Sequence, residues 1–285
     1  MSTTVVSALN VYPVKSCRGI ALSCAGVAVR GLVAGTGAQA VADREWMIVD
    51  GSGRFVTQRE HPRLSRIKVS VSGNALELAA PGCDPLRVPL EPRGGAVRDV
   101  VVWDSVVAAD DAGEQAAAWL SAFIGETAWL VRFDPSQERR CNPEYVGDSR
   151  AHTAFADGYP VLVIGEGSLA DLNARLVASG TGALPMNRFR PNVVIAGLEP
   201  YDEDHLDTIA ADGVVLKLVK PCTRCQITTT DQETAIRGAE PLATLGTYRN
   251  DPRQNGVAFG MNAIVVDGVG RELATGAAAR CTFRF

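Results

Sequence analysis

The chain has 285 residues, 46% of them hydrophobic and 21% charged, with a formal net charge of -4. That length suits one large domain or two that share an interface, and the composition is that of a soluble globular protein. The charge gives no general attraction to nucleic acid, no apolar run reaches the roughly 18 residues of a membrane span, and the N-terminus MSTTVVSALN lacks the basic and apolar regions of a secretory signal, so a cytoplasmic protein without nucleic-acid or membrane partners is expected.

The first hundred residues read mainly as β. Thr4–Val14 is rich in β-branched residues and is broken near its end by Pro13. Ile20, Leu22 and Cys24 alternate, as do Val27 and Val29, with Gly19, Gly26 and Gly31 as punctuation. Trp46–Val49 is a compact apolar run closed by the turn-forming Asp50-Gly51-Ser52-Gly53, and further short strands fit Arg66–Val71 and Val100–Trp103. Strands this short and this closely spaced predict a barrel or sandwich. A helix is predicted over Ala112–Ile124, where Ala116, Trp119, Leu120 and Phe123 make one apolar stripe and Asp110 or Asp111 is placed to cap the start. Residues 134–151, polar and without periodicity, read as a long connection that is either a lid over a site or a solvated loop. Beyond it, Val161–Ile164 reads as a strand and Ser168–Leu176 as a helix with Ser168 and Asp171 at capping-box spacing. Val193–Ala196, Val214–Val219 and Ala263–Val266 follow as strands.

Seven cysteines, an odd number scattered along the chain, argue against a disulfide framework. Cys222 and Cys225 stand out as a Cys-x-x-Cys pair around Arg224, in the segment PCTRCQITTTD. Structural zinc takes four ligands, and His61, His152 and His205 lie neither near this pair nor at a pairing distance from one another. A thioredoxin-like pair should open a helix, whereas Gln226–Thr230 is rich in β-branched residues and reads as a strand. What remains is one thiolate for a soft metal centre, with Arg224 beside it for an anion. Tyr12-Pro13-Val14-Lys15-Ser16-Cys17-Arg18-Gly19 places a lysine, a serine and an arginine on a turn after a strand, which suits a phosphate, although such a basic turn taken alone is more often a solvated surface loop. Asn187-Arg188-Phe189-Arg190-Pro191-Asn192 reads as an anion clamp or a charged strand entrance. Asp43-Arg44-Glu45-Trp46 reads as a local ion pair and Thr57-Gln58-Arg59 as a polar turn.

Taken in order, YPVKSCRG, DREWMIVD, FADGYPVLVIGEGSLADLNARL, FRPNVVI, PCTRCQITTTDQETA and EPLATLGTYR resemble the MOSC proteins, and among them the mitochondrial amidoxime-reducing component and its bacterial relatives. The resemblance runs from about Val11 to Arg249. It implies a mostly β fold with some α (α+β), in which an N-terminal β-barrel-like domain over 1–125 packs on a MOSC β-barrel domain over 126–285. It implies a molybdenum cofactor, Mo-molybdopterin, whose metal takes Cys225 as its protein ligand, with Cys222 a neighbour and Arg224 lining the site. By the same resemblance Lys15, Ser16, Arg44, Arg190 and Asn192 surround the cofactor's phosphate and pterin, and Asp157 matches an acidic residue near the metal, as a proton relay or a structural turn residue. The implied activity is that of a molybdenum-dependent oxidoreductase that reduces N-hydroxylated or N-oxygenated compounds such as amidoximes, hydroxylamines and N-hydroxylated base analogues. After Cys225 only Cys281 remains, too few for the four thiolates of a 2Fe-2S domain, so a separate ferredoxin- or cytochrome-like donor with its reductase is expected, along with a monomeric chain lacking the membrane anchor of the mitochondrial relatives. A cofactor or sulfur carrier without turnover of its own stays open as the second class.

Overall fold

In the computed structural model, which describes residues 3–91 and 94–284, the apolar run at 46–49 lies in the strand Trp46–Asp50. Its side chains alternate between two cores. Trp46 and Ile48 pack with Leu64, Leu76, Leu120 and Leu130, whereas Met47 and Val49 pack with Phe55, Val100, Phe133 and Phe155. A strand buried on both faces has no solvated side to fill with polar residues, which is why the run is unbroken. It forms one edge of a four-stranded antiparallel sheet, next to Ala128–Phe133, Ser105–Asp111 and Val97–Val102. The meander Lys68–Ser72, Ala75–Ala79 and Leu86–Pro89 and the helix Glu114–Ile124 contribute to the first of these cores. Each large aliphatic side chain buried there contributes about 1.5–3 kcal/mol relative to exposure.

A nine-stranded sheet draws on both ends of the chain. In spatial order it runs Ile20–Leu22, Val5–Val11, Val193–Ala196, Val161–Gly165, Gly256–Asp267, Val214–Thr223, Leu206–Ala211 and Arg280–Phe283, with Asn250–Asp251 paired to the fifth of these. Among the described residues its one parallel pairing joins Val161–Gly165 to Val193–Ala196, and the helix Glu166–Ala178 makes that crossover. The chain is mostly β with some α, and its first half is β-barrel-like, as the sequence implied.

Several local expectations change. Strand Val214–Thr223 runs past Val219 because three irregularities in its pairing with Gly256–Asp267 let it bend, the last at Pro221/Thr223, beside a proline that has no N–H to give. The segment after Cys225 is the short 3-10 helix Gln226–Thr229, not a strand. Its threonines turn their hydroxyls back on the chain, Thr228 Oγ1 to Cys225 O and Thr229 Oγ1 to Gln226 O, both at 2.9 Å. Asp110 and Asp111 end the strand Ser105–Asp111, and the helix cap is Gly113, whose N–H donates to Asp111 Oδ1 at 2.8 Å. Ser168 sits inside its helix, where its hydroxyl donates to buried Glu203 at 2.7 Å and accepts from Tyr201 N–H at 2.8 Å. The stretch 134–151 is partly ordered, with Arg139–Arg140 paired to His152–Thr153 and a helical turn Pro143–Val146 capped by Asn142.

Candidate functional site

Strand Val5–Val11 runs antiparallel to Val193–Ala196, and Val161–Gly165 runs parallel to the latter. The turn after the first strand and the segments leading into the other two therefore meet at one end of the sheet. A cleft of about 390 Å³ opens beside them, lined also by the turn at Arg44, the hairpin turn at Trp103 and the end of strand Val214–Thr223. Clefts of this size hold small organic ligands. All eight residues nominated from the sequence line it: Lys15, Ser16, Arg44, Asp157, Arg190, Asn192, Arg224 and Cys225.

Cys225 is exposed on the cleft, at the junction of strand and 3-10 helix, and its carbonyl accepts from Thr228 N–H at 3.1 Å. Cys222 is half-buried and accepts a contact from Arg224 Nη1 at 2.9 Å. Arg224 also donates through Nη2 to Phe189 O at 2.6 Å, while its buried Nε has no hydrogen-bond partner. None of the other five thiols lines the cleft, and two of them are buried. Burial pushes the Cys17 thiol up to about 12 and the Cys141 thiol up to about 11.

The cations are built in. Arg44 and Arg190 each hold a guanidinium 4.3 Å from the centre of the Tyr12 ring. Gly19 makes this possible, since a Cβ there would fall 2.4 Å from Tyr12 Cε1. Arg44 pairs with Asp43, whereas Arg190 donates to Cys17 O at 2.6 Å and forms no ion pair with a described carboxylate. Burial, then repulsion from Arg44, pulls the Arg190 pKa down to about 10. A buried cation pushed this way favours an anionic ligand. Asn192 acts at one remove: it accepts from Arg44 Nη1 at 3.3 Å and donates to Asp43 Oδ1 at 2.8 Å, holding the pair in place. Arg188 turns away from the cleft to Asp231 at 3.0 Å, so the expected double-arginine clamp reduces to Arg190.

Lys15 is buried and donates to Phe155 O at 2.8 Å and Asp157 Oδ1 at 2.5 Å. Burial lowers the lysine's pKa, and Asp157 offsets part of that. The desolvation that would raise the Asp157 carboxyl is small, since its side chain is 70% exposed on the cleft, and the Lys15 ammonium, its hydrogen bond and the Trp103 indole at 3.1 Å hold it well below the usual carboxylate range. A carboxylate held low stabilises the fold in full above its unfolded value, about 4, and loses that contribution progressively as pH falls from there through its lower folded-state value. Asp157→Asn is thus expected to lower Tm by a constant amount from about pH 8 to pH 5, with the difference from wild type closing below about pH 4. A gap that did not narrow at all between about pH 5 and pH 2 would mean the residue acts by packing rather than charge.

The sequence reading passed over other cleft residues. Arg59 reaches the cleft from what looked like a polar turn, and Trp103 from what looked like a strand end. Lys220 and Asn262 enter from the two long paired strands, where nothing in their sequence pattern marks them. Arg139, in the 134–151 stretch, donates to Ala154 O at 3.0 Å, Ala156 O and Asp157 O at 2.7 Å, which fastens that stretch to the Asp157 segment. No helix among the described residues is long and apolar enough to cross a membrane.

Residues 3–127 match the MOSC N-terminal beta barrel domain and residues 150–278 the MOSC domain. The mitochondrial amidoxime-reducing component 1 of Homo sapiens is 36% identical over 256 residues, which is 87% of this chain and 73% of that protein. Component 2 of Bos taurus is 33% identical over 258 residues, 88% of this chain and 74% of that protein. Component 1 of Danio rerio is 33% identical over 256 residues, 88% of this chain and 76% of that protein. With both domain models in chain order and likeness of this extent, the chain belongs to the MOSC-domain family that includes the mitochondrial amidoxime-reducing components.

Proposed function

We propose that the cleft binds Mo-molybdopterin, with Cys225 as the metal's protein ligand, and that the protein reduces N-hydroxylated compounds with electrons from a separate donor protein. The observation that carries this reading is one exposed thiol sharing a cleft with buried cations that lack enough carboxylates, Arg190 above all. Among the described residues no three histidine, cysteine, aspartate or glutamate side chains converge as metal ligands, so a metal here needs sulfur or oxygen donors that the chain does not bring. A pterin dithiolene with a phosphate tail supplies both the missing donors and the missing negative charge.

When bound, the cofactor supplies two-electron chemistry, so that an N–O bond breaks and, with two protons, leaves water and the reduced nitrogen. The chain's residues do the rest. Lys15, Ser16, Arg44, Arg190 and the unpartnered Nε of Arg224 offer charge-assisted hydrogen bonds to phosphate and pterin. Asn192 holds Arg44 in position. Asp157 stays ionised and keeps a proton on Lys15 Nζ, and the pair, on the cleft wall, would relay protons from solvent. The test is protein made in molybdenum-replete cells, assayed with reduced viologen and hydroxylamine or an aryl amidoxime. Near-stoichiometric molybdenum is expected, with formation of ammonia from hydroxylamine or of the amidine from the amidoxime. Bound cofactor without turnover would replace the reductase with a carrier, and protein that retains no molybdenum at all would remove both readings.

A further inference from the structure

Four non-glycine residues of the cleft have left-handed backbone: Ser16 (φ 67°), Arg44 (φ 49°), Trp103 (φ 54°) and Arg190 (φ 56°). The other four such residues among those described, Tyr201, Asp212, Ala235 and Asn255, lie outside it. Bulky side chains rarely hold this conformation unless their surroundings enforce it, and such residues gather at functional sites. Three of the four belong to the proposed cofactor cradle. Trp103 has no part in it.

Trp103 is the first of two residues in a hairpin turn, because Val102 pairs directly with Ser105. Glycine or asparagine is the ordinary occupant of a turn position with positive φ. The tryptophan is 41% exposed, so its packing against Phe55 compensates only in part. Yet its orientation is fixed from three sides. Phe55 lies against it with ring centroids 5.1 Å apart, the Arg59 guanidinium stands 4.8 Å from its ring, and its Nε1 donates to Asp157 Oδ1 at 3.1 Å. The remaining indole surface opens on the cleft, next to the carboxylate and the lysine beneath it. An oriented, partly exposed indole lining a cleft offers a stacking surface.

We propose that Trp103, held by Phe55, Arg59 and Asp157, is the platform on which a planar, conjugated substrate lies, and that it sets a preference for aryl over small aliphatic N-hydroxylated compounds. This rests on the reading of the cleft as a reductase site. It assigns Trp103 to substrate rather than cofactor, and Arg59 to holding the indole in place. Stacking of a flat ring on an aromatic side chain is enough to shift a specificity ratio by about tenfold.

The experiment compares wild type, Trp103→Gly and Trp103→Phe, each cofactor-loaded and driven by reduced viologen so that no protein donor docks. Glycine accepts the turn's backbone, and thermal unfolding of each variant checks that the fold is kept. The kcat/KM ratio of benzamidoxime over acetamidoxime is expected to fall about tenfold in Trp103→Gly, through KM, and to recover to within about threefold in Trp103→Phe. A second readout needs no turnover: benzamidine, the aryl product, should quench tryptophan fluorescence in wild type and not in Trp103→Phe, the other three tryptophans being common to both. An unchanged ratio, or equal loss for both substrates, overturns the proposal. So does quenching that survives in Trp103→Phe. If wild type reduces neither compound the reductase reading fails, and the benzamidine titration then decides the platform separately.

Discussion

Cys225→Ser is expected to lose bound molybdenum and at least about a thousandfold of reductase activity, while Cys222→Ser keeps the metal and loses at most about tenfold. The asymmetry follows from position. Cys225 lies exposed on the cleft after the strand ends, whereas Cys222 is half-buried within strand Val214–Thr223 with Arg224 directed at its sulfur. Serine replaces the thiol by a harder, far less acidic donor of similar size. The main-chain bonds that fix the turn, from Thr228 to Cys225 O and from Arg224 N–H to Val257 O at 2.7 Å, do not involve the sulfur. Tm of the cofactor-free Cys225→Ser protein should therefore match wild type within about 2 °C. Metal analysis and the optical spectrum of both variants check the assignment. Metal kept by Cys225→Ser and lost by Cys222→Ser would reverse it.

The sequence announced some parts of this molecule and concealed others, for physical reasons that differ by segment. Residues 46–49 were legible because burial on both faces leaves a continuous apolar signature. Helix Glu114–Ile124 was legible in its stripe but not in its cap, since a glycine cap carries no side-chain signal. Gln226–Thr230 misled because β-branched threonine favours strands by packing, and here its hydroxyls bond back to the preceding turn instead. Within the site, Lys15, Ser16 and Cys225 could be nominated through the family resemblance, because the basic turn alone suited a solvated loop and the Cys-x-x-Cys pair alone did not say which thiol binds a metal. Arg59 and Trp103 could not, because one sits on a common polar turn and the other ends an ordinary apolar strand. What singles them out is backbone conformation and mutual approach, and neither is written in local composition.

Asn192→Leu is expected to destabilise even the cofactor-free protein, by about 3–5 kcal/mol, which for a chain of this size is a fall in Tm on the order of 10 °C. Asn192 is 1% exposed and engages its side-chain amide in four directions. Its oxygen accepts from Leu162 N–H at 3.0 Å and Arg44 Nη1 at 3.3 Å, and its nitrogen donates to Asn10 O at 3.1 Å and Asp43 Oδ1 at 2.8 Å. Leucine fills the same space and satisfies none of these partners. Buried Asp43 would keep Arg44 and Tyr12 N–H, at 2.8 Å, but lose one donor, and the Leu162 N–H would be left without its acceptor at the entrance to a core strand. Cofactor retention should fall as well, because Arg44 loses the contact that fixes its reach into the cleft. The two effects separate two roles that the sequence resemblance had merged. A direct ligand would weaken cofactor binding with Tm of the cofactor-free protein unchanged, whereas a residue that positions Arg44 must lower both. Differential scanning calorimetry of the cofactor-free variant, paired with molybdenum content after loading, distinguishes them, and the four bonds of Asn192 predict the second outcome.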